Sequence, residues 1–451
     1  MKQLLLPFLF LPFFADAAED SAMLKKIREE VLMHGACYEN LRVLTKTIGH
    51  RLSASPQAAK AVQWGLKAMK AAGADTAWLQ PVWVPHWERG AEWMKVKMPG
   101  SKSFEPMHML SLGNSRGDGK VVEAPVIMVQ TLDEFNSLPP EQVKGKIVFF
   151  NYRFRQDFVN TFAAYGDAIK YRAFPPTYVA LKGGAGTIIR SLSSGLDDAP
   201  HTGMTRIVDT IRKIPSVAIG NTSADRLEAA CKKGTVTAQL MTSGRMMDSV
   251  LSYNVIGELR GTTHRDEYIV VGGHLDSWDV GEGAQDDGAG CVQSIEVIRT
   301  LKALDVHPAR TIRAVLFMNE ENGARGGRAY ADSARSRNEH HILAIESDAG
   351  GFVPRGIGMD MRPEKKAVVK SWSPLFAPMN ACDFDREEGG TDIDPLGLLG
   401  VPLAGLYPDS QRYFDVHHTH QDVFESVNHR ELKLGAAVLA SLVYLASEHG
   451  L

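Results

Sequence analysis

Apolar side chains recur every three or four positions over residues 22–47 and again over 56–72, which predicts two packed helices near the start of the chain. The pattern then shortens to alternating runs at 93–98, 121–129, 146–152, 214–219 and 235–241, each with the length and character of a strand. Beyond Arg260-Gly261 it changes to strand, loop and helix in repetition, with strands at 267–271, 311–317, 341–346 and 401–406 and helices at about 289–304 and 431–448. Such alternation predicts an α/β fold: a mostly parallel sheet sandwiched by helices. In sheets of this kind, functional groups collect beyond the carboxyl ends of the strands. No internal repeat or low-complexity tract interrupts the pattern.

Composition narrows the choices. With 451 residues, 44% of them hydrophobic and 23% charged, the chain is long enough for two or three domains with their own cores. A formal net charge of -3 without a basic run argues against nucleic acid or an anionic membrane and for peptides or other small molecules as partners. The opening MKQLLLPFLFLPFFADAAED reads as an export signal over residues 1–18, cut near Ala17 or Ala18, which implies a secreted or periplasmic protein. Its apolar stretch, Leu4 to Phe14, is well short of the roughly 20 residues of a spanning helix, and no other stretch is a candidate. Cys37, Cys231, Cys291 and Cys382 lack metal-site spacing; one or two bridges are compatible with an exported chain, and Cys291 reads as a small buried residue.

The candidate chemistry lies past the later strands. After Tyr268-Ile269-Val270-Val271 comes GGHLDSWDVGEGAQDDGAG, which carries His274, Asp276 and Asp286 on a glycine-rich loop leading into a helix. A carboxylate two residues from a histidine can hold the second ring nitrogen and fix its tautomer. Past Ala314-Val315-Leu316-Phe317 stands the pair Glu320-Glu321, where one carboxylate can bind a metal and the other move protons. The next strand ends in Glu346-Ser347-Asp348, and the last is followed by Tyr413 and the cluster His417, His418, His420. Each motif alone is weak, since a Glu-Glu pair is usually a solvated turn. Together they put histidines and carboxylates just beyond four successive strands, and such a mixed set suits zinc, with cobalt or manganese as substitutes. Composition does not choose among the three histidines.

The motifs GGHLDSWDVGEGAQDDGAG, NEEN, ESDAG and HHTHQD resemble those of the M28 family of di-zinc peptidases, and the chain as a whole resembles its carboxypeptidase Q branch. The resemblance implies two Zn2+ ions per chain bridged by Asp286, with His274 and Asp348 completing one site and Glu321 and His418 the other. It implies Glu320 as general base, Asp276 as the residue that orients His274, and Asp287 as a helix cap. Where the family often has Tyr before the final histidine, this chain has His417; His417 and Tyr413 are therefore both candidates for the oxyanion donor, and each also reads as a wall residue. GKIVFFN, ALKGGAGTIIRS and IPSVAIG resemble a β-rich protease-associated domain at 118–245, inserted into a zinc peptidase domain made of 19–117 and 246–451; His201 then falls on the surface of a lid.

These implications add up to an exported exopeptidase acting on dipeptides or short peptides through metal-activated water. An aminopeptidase working on longer peptides, a glutaminyl cyclase and a receptor-like binding protein on the same fold are the alternatives. The complete ligand set weighs against the last two, and no G-x-S-x-G elbow supports a serine hydrolase. Asp392, in Gly390-Thr391-Asp392-Ile393, is a candidate for a substrate amine, with capping a turn or helix as its plain reading. Relatives in that branch form dimers, so a homodimer is a further expectation.

Overall fold

The later strands are apolar without alternation because both of their faces are covered. In the computed structural model, which describes residues 12–208 and 210–451, they form the centre of a seven-stranded sheet. Its order is Thr76–Glu88, Arg245–Leu259, Arg310–Phe317, His264–His274, His340–Glu346, Leu403–Pro408, Pro354–Asp360. The four strands from Arg310–Phe317 to Leu403–Pro408 are parallel; Arg245–Leu259 and Pro354–Asp360 pair antiparallel on either side of them. Ile269, Val271, Leu316 and Ile345 point into one core with the helices Pro56–Ala71, Ala289–Ala303 and His429–His449. Val270, Val315, Phe317 and Ala344 point into another, under the helix Arg325–Ser336. Register sets His274 beside Phe317 and Gly272 beside Glu346, so the chemistry-bearing strand ends finish at one level.

The expected helix at 22–47 is broken. A helix Pro12–His34 stops at Gly35, where a Cβ would lie 2.3 Å from the Val31 carbonyl oxygen, and the Ala36 amide donates to Glu296 Oε2 at 2.9 Å. The chain restarts as Cys37–Arg42 and tightens into a π turn, Val43–Ile48. The expected leader at 1–18 falls largely outside the described residues. No described helix is long and apolar enough to cross a membrane. All four cysteines are unbridged, and Cys291 is a buried residue whose thiol donates to the His274 carbonyl.

A second sheet of eight strands has its own cores on two faces. Its strands run from Glu92–Lys97 to Thr237–Thr242, so it begins well before residue 118. Glu92–Lys97 pairs with Thr237–Thr242, and Met109–Ser111 with Ser216–Ile219; partners so distant in sequence leave no local trace. The chain enters through Thr76–Glu88 and leaves through Arg245–Leu259, two long strands that pair with each other. Thr76–Glu88 does not read as a strand because of Pro81 and Pro85; an edge position tolerates both, with a bulge between Val84 and His86.

Candidate metal centre

His274 is the last residue of its strand, and the loop after it is held by groups from elsewhere in the chain. The fully buried Arg51 donates to the carbonyls of Leu275, Glu282 and Gly283 at 2.6, 2.7 and 2.9 Å. Asp422 accepts the amides of Gln285 and Asp286 at 2.7 and 3.1 Å, which sets the Asp286 carboxylate. Asp287 accepts the amides of His274 and Gly290, at 3.0 and 2.8 Å, tying the strand end to the first turn of Ala289–Ala303. That is the capping role expected for it.

The structure brings all five expected ligands together. Asp286 turns Oδ1 to His274 Nε2 at 3.1 Å and Oδ2 to His418 Nε2 at 3.2 Å. Asp348 Oδ1 lies 3.3 Å from His274 Nε2, and Glu321 Oε2 lies 3.1 Å from His418 Nε2. Glu321 is steadied by the Trp278 amide, which donates to Oε1 at 3.1 Å. Asp287 and His417 also come within ligand reach of these groups, but both Asp287 oxygens are taken by backbone amides.

The tautomers are legible from the partners. His274 Nδ1 faces the Asp276 carbonyl at 3.0 Å and His418 Nδ1 faces the Thr202 carbonyl at 3.3 Å. A carbonyl only accepts, so Nδ1 carries the hydrogen in each ring and the neutral imidazole turns a bare Nε2 on carboxylate oxygens. Acceptors facing acceptors at these distances need a cation or protons between them. The charges say the same. Burial alone would lower His274, yet Asp348 and Asp286 hold it well above its ordinary value. Burial and then the Asp286 charge raise Glu321 well above the carboxylate range, and burial raises Asp348. Asp286 Oδ2 and Asp348 Oδ1 are buried without a hydrogen-bond donor. A mixed imidazole and carboxylate set with unsatisfied oxygens fits divalent metal.

Asp276 departs from its expected role. Its carboxylate is 3.8 Å from His274 Nδ1, and the close contact to that ring comes from its backbone carbonyl. Oδ1 accepts the amides of Asn319 and Glu320 at 2.7 and 3.0 Å, and Oδ2 accepts from Ser53 Oγ at 3.2 Å. The side chain therefore shapes the Glu320-Glu321 turn, because the strand Arg310–Phe317 delivers those amides next to it. Glu320 lines the cavity; burial foremost, and then the charges of Asp348 and Asp286, push its carboxyl up to about 7.

A cavity of about 700 Å³ covers the centre, walled by Asp286, Glu320, Glu321, Asp348 and His418 on one side and by Tyr165, Arg172 and Met204 of the second-sheet region on the other. His417 and Tyr413 line it; His417 stacks on His418 with ring centroids 3.5 Å apart. Asp392 does not line it: Oδ1 accepts the Gly327 amide at 3.3 Å, in the first turn of Arg325–Ser336, as its plain reading has it. His201 is not on the surface but 2% exposed, because its segment packs on the His417-His418 loop. There the Thr202 amide donates to the His418 carbonyl at 3.1 Å while its carbonyl takes the His418 ring hydrogen. These two bonds hold His418 in the left-handed backbone region, at φ 63°. Arg51, Ser53, Thr202 and Asp422 were not legible in advance, although Asp422 stands in the HHTHQD motif.

Known proteins resemble this chain in sequence and in fold. Residues 254–443 match the model of peptidase family M28. The chain is 32% identical over 413 residues to carboxypeptidase Q of Bos taurus, and equally to that of Homo sapiens, covering 91% of this chain and 85% of each relative. A solved peptidase M28 precursor from Shewanella amazonensis superposes with a TM-score of 0.90 at 30% identity, over 96% of this chain and 98% of that one. A zinc aminopeptidase from Bacillus subtilis shares the fold, with a TM-score of 0.63 at 18% identity, over 91% of this chain and 94% of its own.

Proposed function

This chain belongs to peptidase family M28, and on that premise we propose that it is a zinc-dependent exopeptidase hydrolysing dipeptides or short peptides in the cavity beside Glu320. The observation that carries the reading is one carboxylate, Asp286, whose two oxygens meet the bare Nε2 atoms of two histidines, His274 and His418. His274 and Asp348 would hold one zinc ion and Glu321 and His418 a second, with Asp286 available to both. Bound there, the metals supply Lewis acidity toward a peptide carbonyl and toward water.

The chain's own groups do the rest. Glu320, on the wall of the cavity, takes a proton from the attacking water and passes it to the departing amine. Asp276 holds the Glu320 amide and so sets where that carboxylate stands. Asp422 and Thr202 hold Asp286 and His418 against the pull of their neighbours. His417 and Tyr413, both on the cavity wall, are the two candidates for the donor to the developing oxyanion.

The second-sheet region, read as a protease-associated domain, closes the cavity from above with Tyr165 and Arg172, which favours small substrates over long ones. The carboxypeptidase Q relatives support an exopeptidase by their name. With the leader at 1–18, the protein works outside the cytoplasm. The test is a hydrolysis profile over dipeptides, longer peptides and end-blocked analogues, with and without chelator. Cleavage of free dipeptides that chelator abolishes and zinc restores is expected; chelator-resistant activity, or preferred release from longer peptides, counts against it.

A further inference from the structure

A second cavity, of about 640 Å³, opens beside the first and shares Phe162, Asp348 and Thr391 with it. Its wall carries the carboxylates of Glu346, Asp348, Asp385, Glu387, Glu388 and Asp394 against one guanidinium, Arg386. That guanidinium is engaged elsewhere: Nε donates to Asp383 Oδ2 at 2.9 Å and the group lies over the Tyr407 ring. Asp385 pairs with Lys370. The cavity wall is therefore acidic, and its one guanidinium is already paired.

Its deepest acid is the informative one. Glu346 is 2% exposed, with Oε2 accepting the amides of Asp392 and Ile393 at 3.0 and 3.1 Å, while Oε1 is buried without a partner. Gly390 preserves the space around it, since a Cβ there would stand 2.2 Å from Glu346 Oε2. A buried carboxylate oxygen without a donor is costly unless the group is protonated or a cation reaches it.

We propose that this cavity is a specificity subsite for a basic side chain, lysyl or arginyl, of a peptide held at the metal centre; the inference rests on the peptidase reading above. Asp348 lines both cavities and so marks where a peptide at the metal centre meets this one. A lysyl ammonium reaches ~6 Å from its Cα, which suits a cavity that runs past Asp348 to Glu388 and Asp394. Charge-assisted bonds to several carboxylates, bidentate for arginine, would recognise it.

The test compares Lys-Ala and Ala-Lys with their norleucine and Nε-acetyl-lysine counterparts on the zinc-loaded protein, wild type, Glu388→Gln and Glu346→Gln. The quantity read is the ratio of kcat/KM, lysyl over norleucyl, within each protein, so a general loss of activity cancels. At one of the two positions the wild-type ratio should exceed tenfold, and both variants should lower it at least threefold. A wild type that cuts the uncharged analogues as well as lysyl peptides overturns the inference and leaves the peptidase reading intact. Variants that slow lysyl and norleucyl peptides equally overturn it too, since the carboxylates would then be reading a group common to both. No cleavage of any peptide with zinc present would instead sink the peptidase reading, and this inference with it.

Discussion

The carboxylate of Asp276 accepts the backbone amide of Glu320 at 3.0 Å, and so holds the residue proposed as general base. Asp276→Ala should lower kcat about 10- to 100-fold, the scale on which small misplacements act. Bound zinc, measured by elemental analysis, should stay close to the wild-type value. A drop in zinc content comparable to the loss of activity would mean that Asp276 acts through His274 after all.

Glu320→Gln keeps the shape of the turn and removes the group proposed to move the proton. Turnover should fall by about 10²- to 10⁴-fold with metal content unchanged. Full activity of this variant would end the assignment of Glu320.

Among the described residues, Asp286 is the only carboxylate that meets both His274 and His418. Asp286→Ala should therefore lose metal itself, read as fewer zinc ions per chain by elemental analysis and as a thermal midpoint that no longer rises when zinc is added. Two ions retained per chain would rule out a bridging role.

Thr202 holds His418 only through its backbone. Thr202→Ala should bind zinc like the wild type, whereas Thr202→Pro, which removes the amide, should weaken metal affinity by roughly 10- to 100-fold. Competition with a chromogenic chelator measures it; equal affinities would show that the second-sheet region does not support the metal centre.

His341, far from the centre at the start of the strand His340–Glu346, is pushed down to about 4, chiefly by burial. Its Nε2 lies 3.0 Å from the Tyr330 hydroxyl, which receives a hydrogen bond from Arg313 and so donates its own hydrogen to the ring. Between an unfolded value near 6.5 and the folded value near 4, the unfolded chain binds a proton that the native chain refuses. This contribution is complete above about pH 6.5 and shrinks as pH falls, by roughly 2 kcal/mol at pH 5. In urea titrations His341→Gln should lose less stability than the wild type between pH 7 and pH 5; parallel losses would refute the assignment.

Local patterning was enough for the parallel strands, because a strand covered on both faces must be apolar throughout, as Val270 and Val271 are. It was also enough for the neighbourhood of the candidate site, because a parallel sheet aligns its strand ends and so brings His274, the Glu320-Glu321 pair and Asp348 to one level whatever the loops do. Resemblance supplied the choice of His418 among its neighbours. Which atom meets which was left to the tertiary structure. Asp276 turned from His274 to the amides of Asn319 and Glu320, His201 moved from surface to interior, and the second-sheet region began at Glu92. Each of these depends on a partner tens to hundreds of positions away, and hydrogen bonds and strand pairing at that separation are settled by packing rather than by periodicity. The sequence alone therefore determined the sheet and the ligand types, while the direction of each carboxylate and the closure over Glu320 were decided only when the two regions met.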